Sequence, residues 1–255
     1  MLAEERKRII LQIINERKAI RVSDLSTALN ITEATVRRDL DELQNERKIR
    51  RTHGGALSIY PAASDLSVQE LIQENQEEKR AIAAKAFEFI DDNDALILDN
   101  STTVRELVTL LKTGTKKKLT IITTSFTIVS DLIGAVDYEI IHLGGSVRAN
   151  INGTLGPIAE RALNDLHADK TILGVNGISV SFGYSVPNNY EAALKKVMIG
   201  AAKQTLVLAD HTKFEKSYLC KVASIDEVDR LITDDISPEM ERELSKLHVS
   251  YTLAR

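Results

Sequence analysis

The chain is 255 residues long, 43% hydrophobic and 27% charged, with a formal net charge of −4 and a single cysteine, Cys220. That length exceeds what one hydrophobic core usually serves and points to two unequal domains, while the lone cysteine excludes an intrachain disulfide framework and a multi-cysteine zinc site. No run approaches the roughly 20 apolar residues that cross a bilayer, and the start MLAEERKR carries acids where a secretory signal has basic residues before an apolar core, so a cytoplasmic protein is expected.

Charge is divided unevenly. Residues 1 to 55 hold 12 Lys and Arg against 9 Asp and Glu, a net of +3, and the remainder carries −7. This asymmetry is expected when only the first segment approaches a polyanion. Ile9, Ile10, Ile13 and Ile14 recur at helical spacing and predict an amphipathic helix over residues 3 to 16. Ser23 is a natural N-cap for a second helix whose Leu25 and Leu29 share a face, and Asn30 suits the left-handed residue that closes it. After a tight turn Thr32 caps a third helix, in which Val36, Leu40 and Leu43 form the inward stripe and Glu33, Ala34, Thr35, Arg37 and Arg38 lie outside it.

Two helices joined by a tight turn make a helix-turn-helix. Its second helix enters the major groove by its first turn, where Thr and Arg reach base edges and phosphates. Arg37 and Arg38 are the strongest candidates, with Ser23 and residues 32 to 35 beside them; Glu33 and Arg37 at i, i+4 equally make an ordinary surface pair. The β-prone run KIRRTHGGAL follows and predicts a wing hairpin turned at its Gly-Gly pair, with Lys48, Arg50, Arg51 and His53 against phosphates.

The run ITEATVRRDLDEL followed by RRTHGGAL resembles the reading head of the DeoR family of bacterial transcriptional regulators, and the similarity continues nearly to the C-terminus. This chain departs in having Asn-Glu-Arg-Lys at 45 to 48, where the family often places a glycine and aliphatic residues between recognition helix and wing. A winged helix-turn-helix domain over 1–57 is therefore expected. Residues 58 to 75 contain Pro61 and small polar residues and read as a linker to a domain over 76–255, with a helix starting near Glu77.

From there β-rich runs (ALILDN, LTIITT, YEIIHLGG, TILGV, TLVLAD, RLITD) alternate with helical patterns such as VRELVTLLK, which signals an α/β domain with a mainly parallel sheet flanked by helices. Ligands of such sheets bind beyond the carboxyl ends of strands. The first run ends in Asp99, Asn100, Ser101, Thr102 and Thr103 and leads straight into a helix, so its hydroxyls are either an anion seat or ordinary N-caps. The next runs end in Thr124 and Ser125, in Gly144 and Gly145 with Arg148 nearby, and in Asn176 and Gly177. Paired glycines admit close backbone approach and an arginine grips phosphate bidentately, although each segment alone is also a plain turn. Glu191 and Lys195 lie four apart on one helical face, as a site or as a surface pair, and Asp210 and Lys213 follow the TLVLAD run, with His211 between them.

The segments LDNSTT, GGSVRANINGTLGP, EAALK and LADHTKF are similar to the DeoR-type effector domain, which is related to sugar-phosphate isomerases. The resemblance implies that Asp99 to Thr103, Gly144, Gly145, Glu191, Lys195, Asp210 and Lys213 line a pocket for a phosphorylated sugar. Ser101 stands where the family commonly has glycine, and Thr124 where it commonly has asparagine.

The expected protein is a DNA-binding repressor of a carbohydrate operon, with a phosphorylated sugar acting through the linker on the arrangement of its DNA heads. Such coupling requires that the sugar bind two states unequally, and one head reads only a short site, so a homo-oligomer on repeated half-sites is expected. An activator with the same sensor stays open. So does an aldose-ketose isomerase using Glu191, Lys195, Asp210 and Lys213 as acid-base groups, although an isomerase needs no basic reading head. No cofactor is expected, nor a metal, since the five histidines, His53, His142, His167, His211 and His248, lack ligand spacing.

Overall fold

The computed structural model describes residues 6–7, 9–11, 13–14, 19–45, 48–52, 54–58 and 73–254, the side chains at 19, 50, 58 and 150 excepted. It divides into two compact units, Met1–Asp65 and Leu66–Arg255. Among the described residues no helix is long and apolar enough to cross a membrane.

In the first unit residues 6–7, 9–11 and 13–14 are helical. They are followed by β1 (Ala19–Arg21), α1 (Val22–Leu29), α2 (Glu33–Asn45), β2 (Ile49–Thr52) and β3 (Gly55–Ser58). The core contains the expected inward stripe: Val36, Leu40 and Leu43 are buried with Ile10, Ile14, Leu25, Ile49 and Ala56. Asn30 closes α1 in the left-handed region at φ 50°, ψ 50°, and Thr32 Oγ1 accepts the Thr35 amide at 3.3 Å.

Two details differ from expectation. Ser23 does not cap α1; Arg21 occupies the cap position without a side-chain bond, and Ser23 lies in the first turn with its hydroxyl 3.3 Å from Asp24 Oδ1. The reason is β1, a strand the sequence did not announce, which runs directly into the helix so that the Val22 amide donates to the Gly54 carbonyl at 2.9 Å. A backbone oxygen replaces the cap hydroxyl. Second, the wing does not turn on both glycines. Thr52 pairs with Gly55, which is the first residue of β3 and is paired also with Arg21. β3 is thus the centre of a three-stranded sheet, β1-β3-β2, and a Cβ at position 55 would stand 2.0 Å from the Ile20 carbonyl oxygen.

The second unit opens with α3 (Gln76–Phe87) and contains β4 (Ala95–Leu98), α4 (Thr102–Leu111), β5 (Thr120–Thr123), α5 (Phe126–Leu132), β6 (Glu139–His142), β7 (Ser146–Arg148), β8 (Gly153–Leu155), α6 (Pro157–Asn164), β9 (Ala168–Gly174), β10 (Gly177–Ser179), β11 (Gly183–Val186), α7 (Asn189–Gly200), β12 (Ala202–Leu208), β13 (Cys220–Ala223), β14 (Arg230–Thr233), α8 (Pro238–Lys246) and β15 (Tyr251–Leu253). Seven strands form one sheet in the order β15-β14-β12-β9-β4-β5-β6. Every neighbouring pair in it is parallel, as the six apolar runs led us to expect.

Side-chain alternation sorts that sheet into two buried faces. Leu96, Leu98, Ile121, Ile172, Leu206, Leu208 and Ile232 meet α3, α4 and α5 on one side. Ile97 and Ile122 meet α6 and α7 on the other, where Leu173, Val207 and Leu231 pack under β10, β11, β13 and α8. Both faces are covered, which is why the strands read as unbroken apolar runs. The chain leaves β4 toward β5 and β6, then returns to add β9 and β12 on the opposite flank of β4. The gap between the β4 and β9 carboxyl ends is therefore the topological switch point, where open α/β sheets place their ligands.

Candidate functional site

The DNA-facing candidates are built by α2. Burial of Val36, Leu40 and Leu43 turns Arg37 and Arg38 outward, with 58% and 82% of their side chains exposed. Arg37 pairs with Glu33 at 2.8 Å and Arg38 with Glu42 at 3.4 Å, both at i, i+4. Such exposed pairs are worth only a few tenths of a kcal/mol, so a phosphate easily displaces the carboxylate. Thr32, Glu33 and Ala34 are exposed and Thr35 half-buried on the same first turn, and the Thr32 and Thr35 hydroxyls lie 2.9 Å apart.

The helix is anchored from behind by a residue that sequence reasoning passed over. Asp39 is 2% exposed, and Arg6 grips it through two bonds of 2.6 and 2.9 Å. On the wing, Arg51 donates to the Arg37 carbonyl at 2.9 Å and to Asp41 at 2.6 Å, tying strand to helix. Lys48 is exposed, Arg50 is in β2 without a described side chain, and His53 lies outside the described residues.

In the larger unit Asp99 follows β4 at the switch point. It is 1% exposed. Its Oδ1 accepts the Ser101 amide at 2.9 Å, and its Oδ2 accepts the Gly174 amide at 2.9 Å and the Lys195 ammonium. One carboxylate thus joins β4, β9 and α7. Position 174 demands glycine here, since a Cβ would stand 2.6 Å from the Ser101 side chain. Ser101 N-caps α4, accepting the Val104 amide at 3.3 Å; Thr102 opens the helix and Thr103 is buried behind it. Burial pushes the Glu191 carboxyl above the ordinary carboxylate range; Lys195 opposes that shift and Asp99 adds to it.

A second carboxylate sits at the end of β12. Asp210 is fully buried. Its Oδ1 accepts three donors: the Thr212 amide at 3.1 Å, the Thr212 hydroxyl, and Asn75 Nδ2 at 3.2 Å. Its Oδ2 has no hydrogen-bond partner among the described residues, with Lys213 Nζ at 3.6 Å. Burial works against ionisation, but Lys213, the two Thr212 bonds and Lys79 outweigh it and hold the Asp210 carboxyl below its ordinary range. His211 is clamped by Asp234, from its amide at 2.7 Å and from Nδ1 at 2.6 Å. That bond to Asp234 raises the imidazole's basicity; burial opposes it, while the charges of Asp234, Asp210 and Glu78 assist.

The remaining candidates occupy the same carboxyl-end side. Thr124 and Ser125 are buried after β5; the Thr124 carbonyl takes the Thr154 amide at 3.0 Å and Ser125 caps α5. Gly144 and Gly145 follow β6 and lead into the β7–β8 arm. Asn100 donates to the Ile151 carbonyl at 3.2 Å, and the Arg148 guanidinium stands 5.5 Å over the Tyr190 ring, so the arm is held to both the β4 loop and the α7 start. Asn176 and Gly177 enter β10, the Asn176 amide bonding the Ser185 carbonyl at 3.1 Å. Asn75, Lys79, Thr212 and Asp234 were not among the sequence candidates. Asp234 follows RLIT as Asp99 follows ALIL, so its strand-end position was a readable signal; Asn75, distant in sequence, offered none.

These features define a class: a winged helix-turn-helix DNA reader on one chain with an α/β domain whose buried carboxylates follow β4 and β12 at the carboxyl-end edge of a parallel sheet. Comparison with known proteins narrows it. The DeoR-like helix-turn-helix domain matches residues 6–62 and the DeoR C-terminal sensor domain residues 74–235. An uncharacterized HTH-type transcriptional regulator of Bacillus subtilis, YulB, is 39% identical, covering 92% of this chain and 90% of its own. The HTH-type transcriptional repressor GlcR of the same organism is 33% identical over 92% and 89%. This chain belongs to the DeoR family and is a DNA-binding transcriptional regulator. Among solved structures, ribose 5-phosphate isomerase A from Neisseria gonorrhoeae aligns over 55% of this chain and 54% of its own, with TM-score 0.41 and 18% identity, a likeness too distant to carry an argument.

Proposed function

We propose that this regulator is a repressor of a carbohydrate-utilisation operon whose grip on DNA is set by a phosphorylated sugar bound at the carboxyl ends of β4, β5, β6, β9 and β12. The observation that carries the reading is the buried Asp210 carboxylate at the ligand-binding edge of the parallel sheet, with Lys213 beside it and one oxygen without a hydrogen bond among the described residues, while Asp99 and Lys195 fix the end of β4. Hydroxyl-rich ligands are recognised by such carboxylates, and phosphate by lysine, arginine and a helix N-terminus such as that of α4. The sign of regulation rests on relatives such as GlcR, which is named a repressor.

In this reading Arg37 and Arg38 address base edges and phosphates, Thr32, Glu33, Ala34 and Thr35 shape the entering turn, and Lys48, Arg50 and His53 meet the backbone. Ser23 adds a hydroxyl beside that face. Arg51 positions the wing against α2. The chain acts as a homo-oligomer, because one head spans too short a site for useful specificity. It is not an enzyme: Glu191, Lys195, Asp210 and Lys213 bind rather than turn over.

The test is fluorescence anisotropy on DNA from upstream of the gene and its neighbours, at fixed salt. The panel is glucose 6-phosphate, fructose 6-phosphate, fructose 1-phosphate, ribose 5-phosphate and glycerol 3-phosphate. One member should change affinity for a specific duplex without being consumed, and Arg37→Ala or Arg38→Ala should weaken binding about tenfold. Turnover of a sugar phosphate with no preference among duplexes sinks the reading in favour of an isomerase.

A further inference from the structure

We infer that Asn75 is the joint through which the Asp210 carboxylate acts on the chain segment leading to the DNA reader. The inference takes its trigger, a ligand at Asp210, from the function proposed above; the joint itself stands on separate geometry.

Asn75 precedes α3 in the left-handed region, at φ 50°, ψ 44°, with no capping bond from its side chain. Asparagine visits that region more readily than other residues that carry a side chain, and here its side chain is held as well. What holds it is distant in sequence: Nδ2 donates to Asp210 Oδ1 at 3.2 Å and lies 3.5 Å from Thr212 Oγ1. One helical turn further on, Lys79 is 3% exposed, donates its ammonium to the Glu74 carbonyl at 2.6 Å and feels the Asp210 charge. The entry to α3 is thus fastened by Asn75 to Asp210 and by Lys79 to the Glu74 carbonyl.

That carboxylate is unevenly loaded, with three donors on Oδ1 and none on Oδ2. A hydroxyl arriving at Oδ2 redistributes charge and rotates the group, and the longest of the Oδ1 bonds, the one to Asn75, is the first to give. Asn75 then loses the partner that fixes its side chain. The chain N-terminal to Asn75 leads to the DNA-reading unit, so Asn75 stands where that segment enters the sensing domain. Two arrangements of one residue, biased by an event at another, are what coupling between sites requires physically.

A double-mutant cycle on DNA affinity in the full-length protein tests the joint without knowledge of the ligand. Asp210→Asn perturbs the carboxylate, and Asn75→Gly removes the side chain while keeping the left-handed backbone open. Asp210→Asn should shift affinity for the upstream duplex about threefold or more in the otherwise unvaried protein, and by less than about 1.5-fold in the Asn75→Gly background. Equal shifts in both backgrounds, or none in either, overturn the joint. If Asp210→Asn loses its cooperative thermal transition, Thr212→Val, which removes one donor to the same oxygen, takes its place in the cycle. The sugar-phosphate panel reports separately on the unvaried protein: a non-additive cycle with no response to the panel keeps the joint and discards the proposed trigger.

Discussion

The two buried carboxylates of the sheet edge are chemically alike and differently used. Asp99 spends both oxygens on the fold, on the Ser101 and Gly174 amides and the Lys195 ammonium, so that three elements meet at one closed centre. Asp210 spends one oxygen on Thr212 and Asn75 and leaves the other without a hydrogen bond among the described residues. A saturated carboxylate fixes geometry; an unsaturated one retains a demand that something else can meet. The comparison teaches that burial and a nearby lysine do not by themselves distinguish a scaffold residue from a responsive one. The count of satisfied lone pairs does.

The largest expected effect is at the closed centre. Lys195→Met leaves the Asp99 charge buried without its partner and should lower the free energy of unfolding by about 3–5 kcal/mol in urea titrations. Asp210→Asn removes the charge that draws the Oδ1 donors but leaves a polar group of the same shape, and should cost about 1 kcal/mol. Equal losses in the two variants would erase the contrast. Next in size, Gly174→Ala forces a methyl against the Ser101 side chain and should cost about 1–3 kcal/mol. Ser101→Gly should recover most of that loss in the double variant, and a purely additive double variant would mean that the contact is relieved elsewhere.

Titration separates the centres further. The Asp210 carboxyl is held below its ordinary value of 3.8, so its contribution to stability is present above that value and disappears as pH falls through the lower folded-state pKa. His211 is raised above 6.5 by Asp234, so its contribution is full below 6.5 and is lost as pH climbs through the raised value. The stability gap between the unvaried protein and His211→Gln should therefore be widest in mildly acidic buffer and narrow as the solution becomes alkaline. A gap independent of pH rules out the ion pair. The smallest effect belongs to the β7–β8 arm: Tyr190→Ala removes an exposed cation–π contact with Arg148 and should cost about 0.5 kcal/mol, a fall of roughly 1–2 °C in Tm.

Much of this molecule was legible before folding. Helical spacing placed Val36, Leu40 and Leu43 inside and Arg37 and Arg38 outside, because a period of 3.6 leaves little choice of face. Six apolar runs became six adjacent parallel strands, because strands buried on both faces have no room for polar alternation. The strand-end rule drew attention to Asp99 and Asp210 for the same local reason.

What escaped was short or distant. β1 has three residues and β15 three, too few to show a period, and they form only because a neighbouring strand offers its edge. Ser23 lost its expected cap to a carbonyl 31 positions away, at Gly54. Asn75 reaches Asp210 across 135 positions, and Arg6 reaches Asp39 across 33. Local sequence determined the main helices, the six apolar strands and which of their faces turn inward, since those preferences act within a few bonds; the short strands, and which oxygen of which carboxylate is satisfied, were decided only by the tertiary structure, because their partners are chosen in space after the chain has closed.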